Sequence, residues 1–388
     1  MNTDPKYLTL HVLTTLPWHN LNRDERGMPK TLTQGGVPRG MLSAQSLKRA
    51  ARIDYEKNAH DVSYRSAGHA YKLVADRIAA VLANTGAAPL DQTKVLKASK
   101  EAVDALVKAE KAAKAPKGAG TETDDAPAND KDTNVWLSDD EVDLLAHAVI
   151  DVLTNGSPPR EASAVVGVDR QVASLAIAAF GRMFANAPHR QTVAAIAVSP
   201  ATTVHQIVFE TDYFTTVDDL NEVYALATQQ KGASYLDSAH YTTGIYYRAI
   251  TIDKEQLRRS WSSFADADAD ATARVRALVR SLVMALPSGK QSSTAPYTKP
   301  LLVLAEEQLG RTAYEFETPV QPDAEGGYKA SSVQALLDQR AEAVAFDPAG
   351  FGKATAAGTA SKSAEFADDV VVGNLETVID HVIEWLSQ

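Results

Sequence analysis

Apolar and polar positions along this chain switch between a two-residue and a 3.6-residue period, and the switches mark its elements. Residues 7–16 (YLTLHVLTTL) are a nearly continuous β-branched and apolar run, which predicts a buried strand. From 17 to 40 the periodicity is lost. Pro17, Pro29 and Pro38 alternate with Gly27, Gly35, Gly36 and Gly40, which predicts a long irregular loop. Loops of that length in compact proteins are usually functional or disordered. Ser43 reads as an N-cap, and Leu47, Ala50, Ala51 and Tyr55 give 44–57 helical spacing. Residues 69–83 and 93–114 predict amphipathic helices, the second broken at Pro116. Residues 118–133 are poor in apolar groups and rich in charge, which predicts a disordered linker. Ser138 with Glu141 three residues later is a capping-box signature that restarts a helix, continued through 147–153. Residues 171–183 and 193–209 are apolar and β-like, and 210–239 is polar. Residues 240–253 alternate as a strand, 267–286 form a helix stopped by Pro287, and 299–309 form a strand. Helices are expected at 331–343 and 374–386, with a mobile Gly/Ala/Ser/Lys-rich stretch at 349–364. Strands and helices in this mixed order predict an α+β fold rather than a doubly wound one.

Composition changes the picture in three ways. With 388 residues, 45% of them hydrophobic, the chain can bury a large core and hold two or three substructures. The absence of cysteine excludes disulfides, thiol nucleophiles and thiolate zinc sites, and fits a reducing cytoplasm. No apolar run approaches the ~20 residues of a membrane helix, and MNTDPKYL lacks the pattern of a signal peptide, so a cytoplasmic protein without membrane contact is expected.

Charge is unevenly distributed. The formal total is −10, but residues 122–143 alone net −8, leaving the rest of the chain near −2. Within 22–52, seven cations (Arg23, Arg26, Lys30, Arg39, Lys48, Arg49 and Arg52) stand against only Asp24 and Glu25. Cations on a helix flank beside a Gly/Pro loop can track phosphates, with loop N–H groups adding contacts. The same residues can equally form a solvated helix face, and spacing alone leaves both open.

Motifs for catalysis are missing. Gly35 and Gly40 have the spacing of a Walker loop, but Met41 stands where its lysine belongs. No GxGxxG follows a strand, no GxSxG occurs, and the nine histidines make no HExxH. Asp139 and Asp140, adjacent on a helix, point in different directions. The expectation is a non-catalytic protein with no cofactor or metal.

Taken in order, several segments resemble a known family. HVLTTLP, LNRDERGMPK and GGVPRGMLSAQSLKRAAR are similar to the N-terminal signature of the CasC family, the repeated backbone subunit of the type I-E CRISPR Cascade complex in the RAMP superfamily. Gly181-Arg182-Met183, His205-Gln206, the 212–220 segment DYFTTVDDL, the 236–244 segment, Tyr246-Tyr247-Arg248 and Gly289-Lys290-Gln291 continue the likeness. It runs from about Thr9 to Pro296, is poor over the acidic segment and weak over the last part of the chain. Ala44 departs from a common serine, and Val37-Pro38 from commoner basic residues.

The resemblance implies an RRM-like (ferredoxin-like) palm over 1–58, 171–203 and 245–388, helical fingers over 59–170 and a hairpin thumb over 204–244. It implies about six copies stacked head to tail along a CRISPR RNA, with other Cascade subunits, and pairing of the guide with target DNA. Arg23, Lys30, Ser43, Gln45, Lys48, Arg49 and Arg52 match positions expected to hold guide phosphates. Met183 and Leu236 match apolar residues that bracket a displaced nucleotide, and Lys290 and Gln291 match positions near the nucleic-acid backbone. Two other readings stay open. One is an RNA-cleaving backbone subunit of the type III kind, using Asp24. The other is an RNA coat protein that binds any sequence.

Overall fold

Side chains on both faces of β1 (Tyr7–His19) are buried: Leu8, Leu10 and Val12 on one, Thr9, His11 and Leu13 on the other. Two-sided burial explains why the run reads as continuous rather than alternating. The computed structural model describes residues 4–66, 68–107, 135–167, 171–184, 187–216, 235–264 and 269–388. The chain divides into two units, one of Met1–Asp54, Ala197–Ile252 and Leu278–Gln388, the other of Tyr55–Ile196 and Asp253–Ala277.

In chain order the remaining strands are β2 (Thr31–Gln34), β3 (Val37–Leu42), β4 (Ser63–Ser66), β5 (Val135–Ser138), β6 (Ile196–Val198), β7 (Ala201–Thr203), β8 (Phe209–Thr216), β9 (Tyr235–Asp253), β10 (Leu302–Gln308), β11 (Phe351–Ala357) and β12 (Val370–Val372). The first unit is built on a large mixed sheet in the order β12-β11-β10-β1-β9-β7-β3-β2, with β8 also paired to β9. β1 and β10 are antiparallel, with Leu10 opposite Ala305, whereas β11 and β12 are parallel. Helix Lys329–Phe346 covers the sheet face of Leu13, Leu302 and Leu304 with Val333, Leu336 and Leu337. Helix Leu375–Ser387 packs on the other face, where His381 Nε2 meets Glu307 Oε1 at 3.0 Å. The α+β expectation therefore holds.

On the helix-covered face of β1 lies a buried polar network. Glu306 meets His11 (3.1 Å), Tyr314 Oη (2.6 Å) and Arg340 Nε (2.6 Å), and Arg340 continues to Asp369 (2.5 Å). Burial opposes the charge of Glu306, but these partners win and hold its carboxyl below the usual range. The hydrogen bond from Arg340 does the same for Asp369.

The second unit is mainly helical. α1 (Ala44–Ala59) enters it at Tyr55, followed by α2 (Ala70–Thr85), α3 (Gln92–Val107) and α4 (Asp139–Asn155). Val74, Ile78, Ala102, Leu106, Val142, Leu145 and Val149 form its core. The capping box forms as expected: Ser138 Oγ accepts from Glu141 N–H (3.2 Å), and Glu141 Oε2 accepts from Ser138 N–H (3.0 Å). Among the described residues, no helix is long and apolar enough to cross a membrane.

Three sequence expectations need correction. Residues 17–40 are not an irregular loop: β1 extends to His19, and β2 and β3 pair as a hairpin with Gln34 opposite Val37. Its two turn residues, Gly35 (φ +60°) and Gly36 (φ +76°), have the left-handed backbone that such a tight turn requires. Residues 349–364 are not a mobile stretch, because they hold β11, whose small Ala354, Ala356 and Ala357 are buried. Residues 171–183 are not β-like: they contain α5 (Leu175–Phe180), capped by Ser174. A short, fully buried apolar run does not distinguish helix from strand. The 118–133 linker and the end of the helix expected over 93–114 lie outside the described residues.

Candidate nucleic-acid interface

The basic segment starts from a turn that holds itself together. Asp24 Oδ1 accepts from the N–H groups of Arg26 and Met28, both at 2.9 Å. Asn20 Nδ2 donates to Gly27 O (2.9 Å), and Arg23 forms an isolated bridge with Pro29. Asn22 then couples this turn to the helix: its Oδ1 accepts from Ser43 N–H at 2.8 Å, directly before α1. Ser43 Oγ accepts weakly from Ser46 N–H (3.4 Å), and Ser46 Oγ donates to Ser43 O (2.8 Å). The N-terminal expectation for Ser43 is therefore met, in a role that ties turn and helix into one piece.

This bracing changes the chemistry expected of the segment. The N–H groups of Asp24, Lys30 and Met41 donate to backbone carbonyls, and that of Gly40 to Thr203 Oγ1. They are not available to phosphates as the Gly/Pro pattern suggests. Side chains are left to make the outward contacts. The hairpin tip is also occupied, since a Cβ on Gly35 would meet Glu317 O at 1.8 Å.

α1 buries Leu47, Ala51 and Tyr55 along one side. Gln45, Lys48, Arg49 and Arg52 share the flank beside it, at i, i+3, i+4 and i+7. Arg23, Gln45 and Arg49 are exposed; Lys30, Ser43, Lys48 and Arg52 are half-buried. Desolvation lowers the pKa of Lys48, so an anion beside it would favour its charged form.

Arg39 does not belong to the surface despite its place in the basic segment. It is fully buried, and its guanidinium donates to Thr203 O (3.0 Å), Phe316 O (2.8 Å), Glu317 O (3.2 Å) and Gln34 O (3.3 Å). It staples β3 to β7 and to the 316–317 backbone.

Lys290 and Gln291 come to the same place from far along the chain. Gly289 packs so closely that a Cβ on it would meet Leu21 O at 2.4 Å and Asn20 O at 2.8 Å. Lys290 adopts a left-handed backbone (φ +52°), which turns the chain beside the base of the Arg23 turn. Nine predicted residues of this unit thus lie on the Arg23 turn, along α1 or directly after Gly289, whose backbone packs on Asn20 and Leu21, and Leu236 stands apart from them on a hairpin. β8 and β9 pair there with Thr215 opposite Leu236, which is 55% exposed.

Tyr213, 66% exposed, lies on the same hairpin face as Leu236 and diagonal to it. The overall polarity of 210–239 hides it; alternation in FETDYFTT is the signal that finds it.

Met183 belongs to the second unit. Arg182 and Phe184 on either side are buried, and Met183 is 75% exposed. The anchor is specific: Arg182 donates to Trp136 O (3.1 Å) and Glu141 Oε2 (2.5 Å), and bridges Thr192 through the backbone.

His19, at the end of β1, underlies the turn. Its buried Nδ1 accepts from Leu21 N–H (3.3 Å), and burial lowers its pKa to about 4. Above pH 6.5 the ring is neutral in both folded and unfolded chains. As pH falls towards 4 the unfolded chain takes the proton first, and stability falls by on the order of 3 kcal/mol. Denaturant titrations between pH 7 and 4 are expected to show that loss, and His19→Gln to flatten it; equal slopes would refute the assignment. Glu306 and Asp369, held below the usual carboxyl range, contribute their losses at lower pH.

The profile of the CT1975-like protein family matches residues 8–385. No curated protein matches the chain. Among solved structures, it is similar to a chain of a "CRISPR RNA-guided surveillance complex, pre-nicking", at 23% identity and a TM-score of 0.74, over 97% of this chain and 99% of that one. It is also similar to a chain of a "CRISPR RNA-guided surveillance complex", at 20% identity and a TM-score of 0.66, with the same coverage. At these identities the likeness is one of fold.

Proposed function

Since the chain belongs to the Cas CT1975-like protein family, we propose that it is a guide-RNA-binding backbone subunit of a CRISPR RNA-guided surveillance complex. The observation that carries this reading is the braced loop–helix junction, where Arg23, Lys30, Lys48, Arg49 and Lys290 converge while the backbone donors are used internally. Such a surface grips phosphates without reading bases, and pairing of the guide then supplies specificity. Full-length likeness of fold to chains of surveillance complexes supports it.

In finer detail, the complex is of type I-E and cytoplasmic. The palm is RRM-like, 59–170 are its fingers, and 204–244 its thumb. About six copies stack head to tail, beside other Cascade subunits, along one guide that pairs with target DNA. Met183 and Leu236, both exposed, act as wedges that interrupt base stacking at regular intervals. The subunit itself cuts nothing: Asp24 serves its own turn, as its two backbone hydrogen bonds suggest.

Expression with the genomic neighbours, followed by sequencing of the co-purified RNA, tests the reading. RNAs of one uniform length are expected, whereas random cellular RNA would favour a coat protein. Incubating the complex with complementary RNA and Mg²⁺ is expected to leave that RNA intact. Cleavage lost in Asp24→Ala would establish the RNA-cleaving alternative.

A further inference from the structure

A cleft of about 480 Å³ lies in the first unit, lined by residues of the helix Ala269–Met284, β10, β11 and the start of the helix Leu375–Ser387. Its volume is within the ~300–1,000 Å³ usual for small-ligand sites. Three cations line it, Arg280, Lys299 and Lys362, against one carboxylate, Glu376. Arg280 pairs with Glu376, and Lys299 and Lys362 have no ion-pair partner among the described residues. Met284 and Pro300 contribute an apolar wall. The helix N-terminus does not supply the attraction, because Asn374 Oδ1 already caps it by accepting from Thr377 N–H (3.2 Å).

We propose that this cleft binds a nucleoside phosphate, free or as one nucleotide of a single strand. The net +2 of the lining complements a phosphate monoester, which carries about −1.5 to −2 at pH 7. A simple inorganic anion would leave the apolar wall uncovered; a base stacked on Met284 and Pro300 covers it. Lys299 and Lys362 hold the phosphate directly. Glu376 competes for Arg280, so it weakens binding and is displaced from that cation when the phosphate arrives. The site shares no residue with the loop–helix junction and does not depend on the guide-RNA reading.

Calorimetric titration of the full-length chain tests the site, with adenosine monophosphate, adenosine and inorganic phosphate as probes. Adenosine monophosphate is expected to bind more tightly than either fragment. Lys299→Ala and Lys362→Ala should each weaken it about tenfold, the scale of one hydrogen bond to a charged group. Glu376→Gln should strengthen it. If free nucleotide does not bind but a photoreactive single-stranded oligonucleotide cross-links to peptides containing Lys299 or Lys362, the strand is the source. Absence of both, or binding indifferent to Lys299 and Lys362, overturns the proposal.

Discussion

Reversing two charges on α1, Lys48→Glu with Arg49→Glu, is expected to strip the protein of its RNA while it remains folded. Both residues lie beside, not within, the buried line of Leu47, Ala51 and Tyr55. In the proposed RNA-binding reading each supplies a charge-assisted hydrogen bond to a phosphate, so removing both is expected to lower affinity at least about hundredfold. The reversal adds repulsion. The dependence of binding on salt should also flatten, by roughly 0.7 in log–log slope for each single-strand phosphate left without its cation. Lys48 is half-buried, so a carboxylate there carries some cost of its own. Lys48→Gln with Arg49→Gln separates the effects: it removes the cations without burying a new charge and should lose RNA to a lesser degree. RNA recovery and salt slope unchanged in both variants would remove this surface from the binding site.

The second large effect is on stability and comes from a cation of the same segment. Arg39→Met is expected to destabilise the protein by about 3–5 kcal/mol in chemical denaturation. Its carbonyl partners on Thr203 and Phe316 lose a buried donor and gain no water in exchange. Arg39→Lys should recover little, because one ammonium cannot serve acceptors spread over the 34, 203 and 316–317 backbone as a planar fork does. Its guanidinium is inaccessible, so the RNA affinity of the folded Arg39→Met protein should match that of the unaltered chain. A fall in affinity at unchanged stability would show instead that Arg39 reaches the nucleic acid.

These two variants show how differently neighbouring cations are used. Arg39 and Arg49 are equivalent in charge and in surrounding composition, yet one is a core staple and the other a surface group. Arg248 repeats the first pattern, donating to Leu282 O (3.1 Å) and Val283 O (2.7 Å) at the end of a helix, where burial lowers its pKa to about 10. Asn22 and Asp24 likewise read as polar loop residues until their partners are known.

The sequence by itself determined the features that depend on near neighbours. Two-sided apolar runs specified β1 and β10, the 3.6-residue period specified α1 to α4, and Ser138 with Glu141 specified a capping box. Charge counting located the basic segment. Only tertiary structure decided which of its groups face outward, because the deciding partners are remote. Thr203 and Phe316 lie 164 and 277 residues beyond Arg39, and no local pattern reports them. The same holds for Gly289 against Leu21, which brings Lys290 to the junction, and for the cations of the nucleotide-sized cleft. Periodicity records which side of an element is apolar; what meets that side, or replaces water at a charge, is set when distant segments pack.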